Sequence, residues 1–587
     1  MLPFLLVLPL LLAVAFIALL PDTSLPRYLA LAATIASLLM LFFIHYGVYN
    51  VGWFSIGGAV VGFTASITPV SLLLLVIVLL IAPSIFLYSF GYMKKPSEQR
   101  RYYIEMLIFE AAMLVFAMSG NYITLFLAWE FLSFMSYMLI GFYKEKASAA
   151  RSARKAISTV LIGDIAIIAA IAVIWTATGS FSIGSIPSNP AYLLASALLL
   201  CVAILTKSAQ FPFQEWLPDA MEGPTPVSAF LHSSTMVKAG VFAFIILYPL
   251  FSAAHILYLF MIISAITIVI STLGAAKEMQ IKRVIAYSTT QELGLMIFAA
   301  SIGSITAALY FFLVQSFYKS LLFFSSGSVM EATGEDSLDR TTGLKENRII
   351  YITTIIGVLS LAGFLPFSGF FGNVGIGSSV SSFWVYLFLS VIGFSTSFFI
   401  IRWIMLASKK TENQKTKLAY RKMPKSMIVS MVFLSALALL SSAAFFYIGR
   451  FLSGSAYPLQ GYISALGIRS YDIVIETALA LLGLFASYYA FSHNKKISGR
   501  LVHMIHNSDI FNALYTYFAD VLLAIASGVA IFDRFLSNGF EDIGRGISLS
   551  GRGLRRFAVG DINTYVFVLI AAIAAALWYV YALGVIK

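Results

Sequence analysis

Apolar runs of about 20 residues recur along the whole chain, each long enough to cross a hydrocarbon core of about 30 Å. They begin near Pro3, Arg27, Pro69, Tyr103, Asn121, Ala153, Ala191 and Thr225, then near Ala254, Ile281, Ser304, Asn347, Ser382, Ser426, Tyr471 and Thr564. The pattern predicts an all-α polytopic membrane protein of about 16 transmembrane helices. Residues 1–20 lack a basic leading region and a small-residue cleavage site before Pro21, so they read as the first span rather than a signal peptide.

The polar segments between the runs alternate in charge. Those after odd-numbered spans carry Lys94, Lys95, Arg100 and Arg101, then Lys144, Lys146, Arg151, Arg154 and Lys155, then Lys277, Lys282 and Arg283, and later a run from Lys409 to Lys425. Those after even-numbered spans are nearly bare until Arg450 and Arg469. By the positive-inside rule the basic side is cytoplasmic, and both termini are expected to face outward. One stretch, 507–561, holds an apolar run at 519–532 flanked by Asp520, Asp533 and Arg534. At about 14 residues that run suits an amphipathic helix lying along the cytoplasmic face better than a further span, which is the alternative.

Composition narrows the chemistry. Apolar residues make up 60% of the 587 positions and charged residues 11%, against roughly 25% charged in a soluble domain. The formal charge of +12 sits in the loops, where topology explains it without nucleic acid. A single cysteine, Cys201, and six scattered histidines supply no iron–sulfur, zinc or haem ligand set. No Gly-rich phosphate loop opens a helix after a strand. No cofactor is expected on this chain, and redox chemistry is left to partner subunits.

Against that background, ionisable residues inside the apolar runs stand out. Glu110, Glu130, Asp164, Lys207, His232, Lys238, Glu292, Lys319 and Arg402 all lie within expected spans. Each costs about 2.5–3.5 kcal/mol or more at the bilayer centre, so such groups are paired or functional by default. Mixed acids and bases suit proton relay, because neighbouring charges retune a lysine. Plainer explanations exist: Glu110 as an interhelical hydrogen bond, Arg402 as an anchor for a carboxylate or backbone carbonyls, His232 as a packed histidine. Glu130 and Lys207 are expected to act as a pair.

Two spans are interrupted by proline, one at Pro212 just beyond Lys207 and one at Pro366 before a glycine-rich stretch. About five spans separate them, an odd offset that reverses orientation, as in inverted-repeat transporters with sites near the midplane. The expected organisation is N-terminal transmembrane helices at 1–100, a first repeat at 101–251, a second at 252–407 and additional transmembrane helices at 408–500. A lateral amphipathic helix at 501–562 and an anchoring helix at 563–587 follow.

WEFLSFMSYMLIGFY, TKSAQFPFQEWLPDAMEGPTPVSAFLHSSTMVKAGVF, IKRVIAYSTTQELGLM and SFYKSLLFFSSGSVM closely resemble the antiporter-like membrane subunits of respiratory complex I. Related families are the large Mrp-type cation/proton antiporter subunits and membrane subunits of energy-converting hydrogenases. FNALYTYFAD, IFDRFLSNGFEDIGRG and FAVGDINTY resemble the tail of the largest complex I subunit of this kind, chain L. The resemblance implies two inverted five-helix repeats with broken helices and a C-terminal lateral helix. It implies that Glu130 sets the proton affinity of Lys207, that Asp164 lies on the sixth helix, and that His232 and Lys238 form a shuttle toward Lys319.

The second half departs from that pattern. Members like chain L have a lysine after the second break, in a motif like GFFSKDE. Here the string is GFFGNVG, with Asn373 in its place, and Gln315 stands where a histidine is common. Glu292 is the acid placed to compensate. The expected function is proton translocation in a complex I-like, NADH:quinone oxidoreductase-type pump, with iron–sulfur clusters and quinone in peripheral partners. Other antiporter-like and small membrane subunits are expected beside it, and the simplest location is a prokaryotic plasma membrane. The rivals are an Mrp-type antiporter subunit and a mainly structural clamp.

Overall fold

The structure, a computed structural model, describes residues 3–19, 24–56, 59–94, 96–453 and 470–492. The lateral and anchoring helices expected at 501–562 and 563–587 lie outside the described residues. Helices α1 (Leu8–Leu19) and α2 (Leu25–Met40) lead into a two-stranded antiparallel hairpin, β1 (Gly47–Ile56) and β2 (Ala59–Ile67). The hairpin adds two strands, which the sequence pattern did not predict, to a mostly helical chain. Its strands carry alternating, β-branched and aromatic residues, VYNVGWFSI and AVVGFTASI, which favour extended backbone. It is tied to the next helices by side chains: Asn121 Nδ2 donates to the Gly62 carbonyl at 2.8 Å, and the Thr64 amide donates to Thr124 Oγ1 at 2.9 Å.

Then follow α3 (Pro69–Tyr92), α4 (Pro96–Met118), α5 (Tyr122–Ile140), α6 (Ala147–Thr178) and α7 (Pro190–Lys207). Side-chain caps set their starts. Thr68 and Ser71 form a reciprocal capping box on α3, and Asn121 and Asn189 accept from the first turns of α5 and α7. Beyond α7 the chain leaves helical geometry, then forms α8 (Trp216–Asp219), α9 (Thr225–Ser233) and α10 (Met236–Ile246). The run expected as one span from Thr225 is thus interrupted at Ser234 and Thr235, where the backbone turns out of helix.

The second stretch comprises α11 (Tyr248–Ala253), α12 (Leu257–Lys277), α13 (Ile281–Ser301), α14 (Ile305–Thr333), α15 (Arg348–Leu361), α16 (Ser368–Ser378) and α17 (Phe383–Ala407). It is followed by α18 (Gln414–Arg421), α19 (Lys425–Leu440), α20 (Ile448–Ser453) and α21 (Ser470–Ser492). Among the described residues, 11 helices are long and apolar enough to cross a membrane. Helices α4 and α13 match them in length but carry ionisable residues.

Burial sorts the helices. Residues 225–246 and α14 are wholly enclosed over their apolar windows, whereas α12 presents Tyr258 and Ile262 outward and α6 presents Ile165 and Ile168. The enclosed helices are those that carry His232, Lys238, Gln315 and Lys319, so the ionisable side chains sit inside protein and the lipid-facing surface stays apolar. Close approach fixes this packing. A Cβ on Gly163 of α6 would collide with Thr206 of α7. Gly163→Leu is therefore expected to cost about 1–3 kcal/mol by overpacking, read as a lowered melting temperature of the detergent-solubilised protein; an unchanged melting temperature would show that the contact yields.

Candidate functional site

Lys207 is the last residue of α7, immediately before the break at Pro212. The helix ends as the Gln210 amide reaches back to the Leu205 carbonyl, and Ala209 takes a positive φ of 50°. The ammonium group of Lys207 is fully buried and points at α5. It donates to the Trp129 carbonyl oxygen at 2.9 Å and to Ser133 Oγ at 2.6 Å, with the Trp129 ring centroid 4.6 Å away. The Trp129 indole N–H in turn donates to Asp164 Oδ1 of α6 at 2.6 Å. Lysine, indole and aspartate form one bonded group.

Glu130 and Lys207, expected to act as a pair, are not in direct contact. No ion pair or hydrogen bond joins the two, and Glu130 is only half-buried. The Trp129 carbonyl and Ser133 hydroxyl take the Lys207 ammonium instead. Both carboxylates, Asp164 and Glu130, still lie within electrostatic reach of Lys207.

A second group follows directly. Ser208, next to Lys207, donates to the Val237 carbonyl at 2.8 Å, and Gly240 leaves the space that Ser208 occupies. This seats α10 against the break and places Lys238 on the other side. Lys238 repeats the geometry of Lys207: it donates to the Phe312 carbonyl at 2.6 Å, to the hydroxyl of Ser316 four residues on, and lies 4.4 Å from the Phe312 ring centroid. His232, fully buried 5.7 Å from the Phe323 ring centroid, has neither ring nitrogen hydrogen-bonded. It is not bonded to Lys238; Ser233 beside it meets Ser320 of α14 at 2.6 Å.

The third group is an ion pair. Lys319 of α14 meets Glu292 of α13 at 2.8 Å, with both side chains almost wholly enclosed. Lys319 also donates to Ser288 Oγ at 2.5 Å. Glu292 accepts from the Tyr318 hydroxyl at 2.6 Å and from the Gln315 amide at 3.2 Å. Gln315 and Lys319, one helical turn apart, thus converge on one carboxylate. The fields of Glu292 and Lys319 both reach Lys238.

The remaining expected site residues lie apart from this line. Glu110 of α4 accepts from the hydroxyl of Thr34. Arg402 of α17 donates to the carbonyls of Ala276 at 2.9 Å and Glu278 at 2.6 Å, closing the end of α12. Arg402→Leu would leave those acceptors without their cation, and a loss of about 1–3 kcal/mol is expected, measured by thermal melting; ion transport per assembled complex should be unchanged. Pro212 and Pro366 each follow a cis peptide bond in their breaks. Asn373 sits on α16 with its amide against Gly363, whose φ of +71° and missing side chain make the room.

Sequence reasoning passed over the partners that hold the lysines: Ser133, Ser288, Ser316 and Tyr318. A serine or tyrosine in an apolar run has no signature of its own. The only available signal is spacing, an aromatic residue with serine four positions later, in 129–133 and 312–316.

Comparison with known proteins shows the family. A family model described as NADH:quinone oxidoreductase/Mrp antiporter, TM, matches residues 119–401, and one described as NADH-ubiquinone oxidoreductase (complex I), chain 5 N-terminus, matches 53–103. NADH-quinone oxidoreductase subunit L of Buchnera aphidicola is 32% identical over 491 residues, covering 80% of this chain and 77% of that protein. Na(+)/H(+) antiporter subunit A1 of Staphylococcus aureus is 36% identical over 309 residues, covering 48% of this chain and 38% of the relative. A solved Mrp complex from a Dietzia species shares the fold with a TM-score of 0.73 at 23% identity, over 98% of this chain and 63% of that one. The chain is an integral multi-pass membrane protein and belongs to the NADH:quinone oxidoreductase/Mrp antiporter family of membrane subunits.

Proposed function

We propose that this chain carries protons across a prokaryotic plasma membrane as the antiporter-like subunit of a complex I-like redox pump. The observation that carries this reading is three successive enclosed groups: Asp164, Trp129 and Lys207, then Lys238 with Ser316, then Lys319 with Glu292. Charges placed this deep cost about 2.5–3.5 kcal/mol or more each, and a scaffold alone has no use for a row of them. With the basic loops cytoplasmic, the breaks at Pro212 and Pro366 fall in oppositely oriented repeats. Lys207 loads from the cytoplasmic side under the fields of Asp164 and Glu130 and passes its proton toward Lys238 and Lys319 through intervening hydroxyls and water, with His232 beside the route.

The chain contributes the path; electron transfer belongs to peripheral subunits bearing iron–sulfur clusters and quinone. Those subunits act by moving charge next to the line, which changes the proton affinity of the first lysine. A second reading, a subunit of a cation/proton antiporter without redox partners, is favoured by the 36% identity to the S. aureus antiporter subunit. Purifying the native complex through a tag on this chain separates them. Stoichiometric iron–sulfur subunits are expected; a set of membrane subunits without redox centres would overturn the redox assignment and leave the antiporter.

A further inference from the structure

The ion pair of Lys319 and Glu292 does not end the polar interior. Glu292 opens on a cavity lined also by Gln291 of α13, Asn373 of α16, Gly393 and Thr396 of α17, and Glu476 of α21. Gln291 donates to Thr396 at 2.7 Å and keeps its own amide oxygen unpartnered, although the residue is 1% exposed. Asn373 gives the α16 wall a neutral amide, so Glu292 and Glu476 are the ionisable residues that line this cavity.

Glu476 is held there by design of the helix contact. Helix α21 runs alongside α17 in the same direction: Ser397 donates to the Ala480 carbonyl at 2.9 Å, and a Cβ on Gly483 would meet the Phe394 carbonyl at 2.8 Å. One turn before Ala480, the Glu476 carboxylate lies over Gly393, where a Cβ would be 3.3 Å from Oε2. Gly393 thereby leaves the space that the carboxylate fills. Asp472, also buried, precedes Glu476 by one further turn on the same face and lies in the first turn of α21.

We propose that Glu476 is the outward terminal proton carrier of this chain, connected to the Lys319–Glu292 pair by the cavity beside Asn373 and to the outer surface past Asp472. The inference rests on the proton-path reading above and on its orientation. In the transfer, an N–H bond of the Lys319 ammonium breaks and an O–H bond forms on the Glu476 carboxylate through hydrogen-bonded water. Lysine is left neutral until Lys238 reprotonates it, and Glu476 then releases its proton outward. No further reactant is required. Asn373 borders the two carboxylates, so a lysine at that position would supply a carrier between Glu292 and the exit.

The test uses the intact complex in sealed vesicles, with proton movement per turnover as the readout and Lys207→Met as control. Glu476→Gln is expected to lower proton movement at least about tenfold in assembled complex, and Glu476→Asp to retain about half. Asn373→Lys combined with Glu476→Gln is expected to restore movement to within about threefold of wild type, a rescue that a merely structural role for Glu476 would not give. Wild-type movement in Glu476→Gln while Lys207→Met is inactive overturns the inference alone; wild-type movement in Lys207→Met overturns the proton-path reading instead. If Glu476→Gln does not assemble, the double variant decides, and its failure to move protons overturns the inference.

Discussion

Glu292→Gln is expected to remove most ion transport and a measurable part of the stability of the chain. Its carboxylate receives the Lys319 ammonium at 2.8 Å, the Tyr318 hydroxyl at 2.6 Å and the Gln315 amide at 3.2 Å, all enclosed. Removing one partner of a buried pair strands the other, at a cost of about 3–5 kcal/mol. Lys319 would escape that cost by staying neutral, and a permanently neutral lysine cannot pass a proton on. A fall of about 100-fold in transport is expected, with a lowered melting temperature. Adding Lys319→Met removes the stranded amine, so the double variant should regain stability but not transport. Full stability and transport in Glu292→Gln would show that the pair is incidental.

Lys207→Met should abolish proton movement while the complex still assembles. Methionine keeps the length and apolar stem of lysine and fills the space against the Trp129 ring without a cavity. What it cannot do is donate to the Trp129 carbonyl and Ser133, or carry charge opposite Asp164. The Trp129–Asp164 hydrogen bond needs no lysine and should survive, which keeps α5 and α6 together. Asp164→Asn should have a smaller effect on assembly than on transport, because the indole can still donate to the amide oxygen. Transport assays on detergent-extracted, reconstituted complex check both; equal proton movement in wild type and Lys207→Met would remove Lys207 from the path.

Much of the fold was legible because lipid imposes one rule on every span. A run such as SLLLLVIVLLIAPSIFLYSF in α3 has no other home. The breaks were legible because proline lacks the donor a helix needs, and in both places the chain does leave helix beyond Lys207 and Leu361. The hairpin at residues 47–67 escaped because alternating apolar residues beside apolar spans merge into the same hydropathy. The interruption at Ser234 and Thr235 escaped too, since no proline or glycine marks it.

The site was legible as a list of charges and not as a set of partners. Hydropathy singles out Lys207, Lys238, Lys319 and Glu292, but which acid meets which base depends on helix rotation. Glu130, adjacent to Trp129, makes no hydrogen bond with Lys207, and Asp164 reaches the lysine group through the indole. Glu292 and Lys319 are paired across α13 and α14, a contact between residues 27 positions apart that no local pattern encodes. Glu476 carries the same signal as the others, an acid in an apolar run. It lies near the start of α21, with Asp472 before it, and the sequence analysis does not single it out.

The most direct test of the central claim, that one line of buried groups carries the proton, is a comparison of single and double variants in vesicles. Proton movement per turnover would be measured for wild type, Lys207→Met, Lys319→Met and the two combined, at matched levels of assembled complex. A path in series predicts that each single variant abolishes the contribution of this chain and that the double variant loses no more than either. Residual movement in both singles that disappears only in the double, or movement unchanged in all three, would contradict a single line.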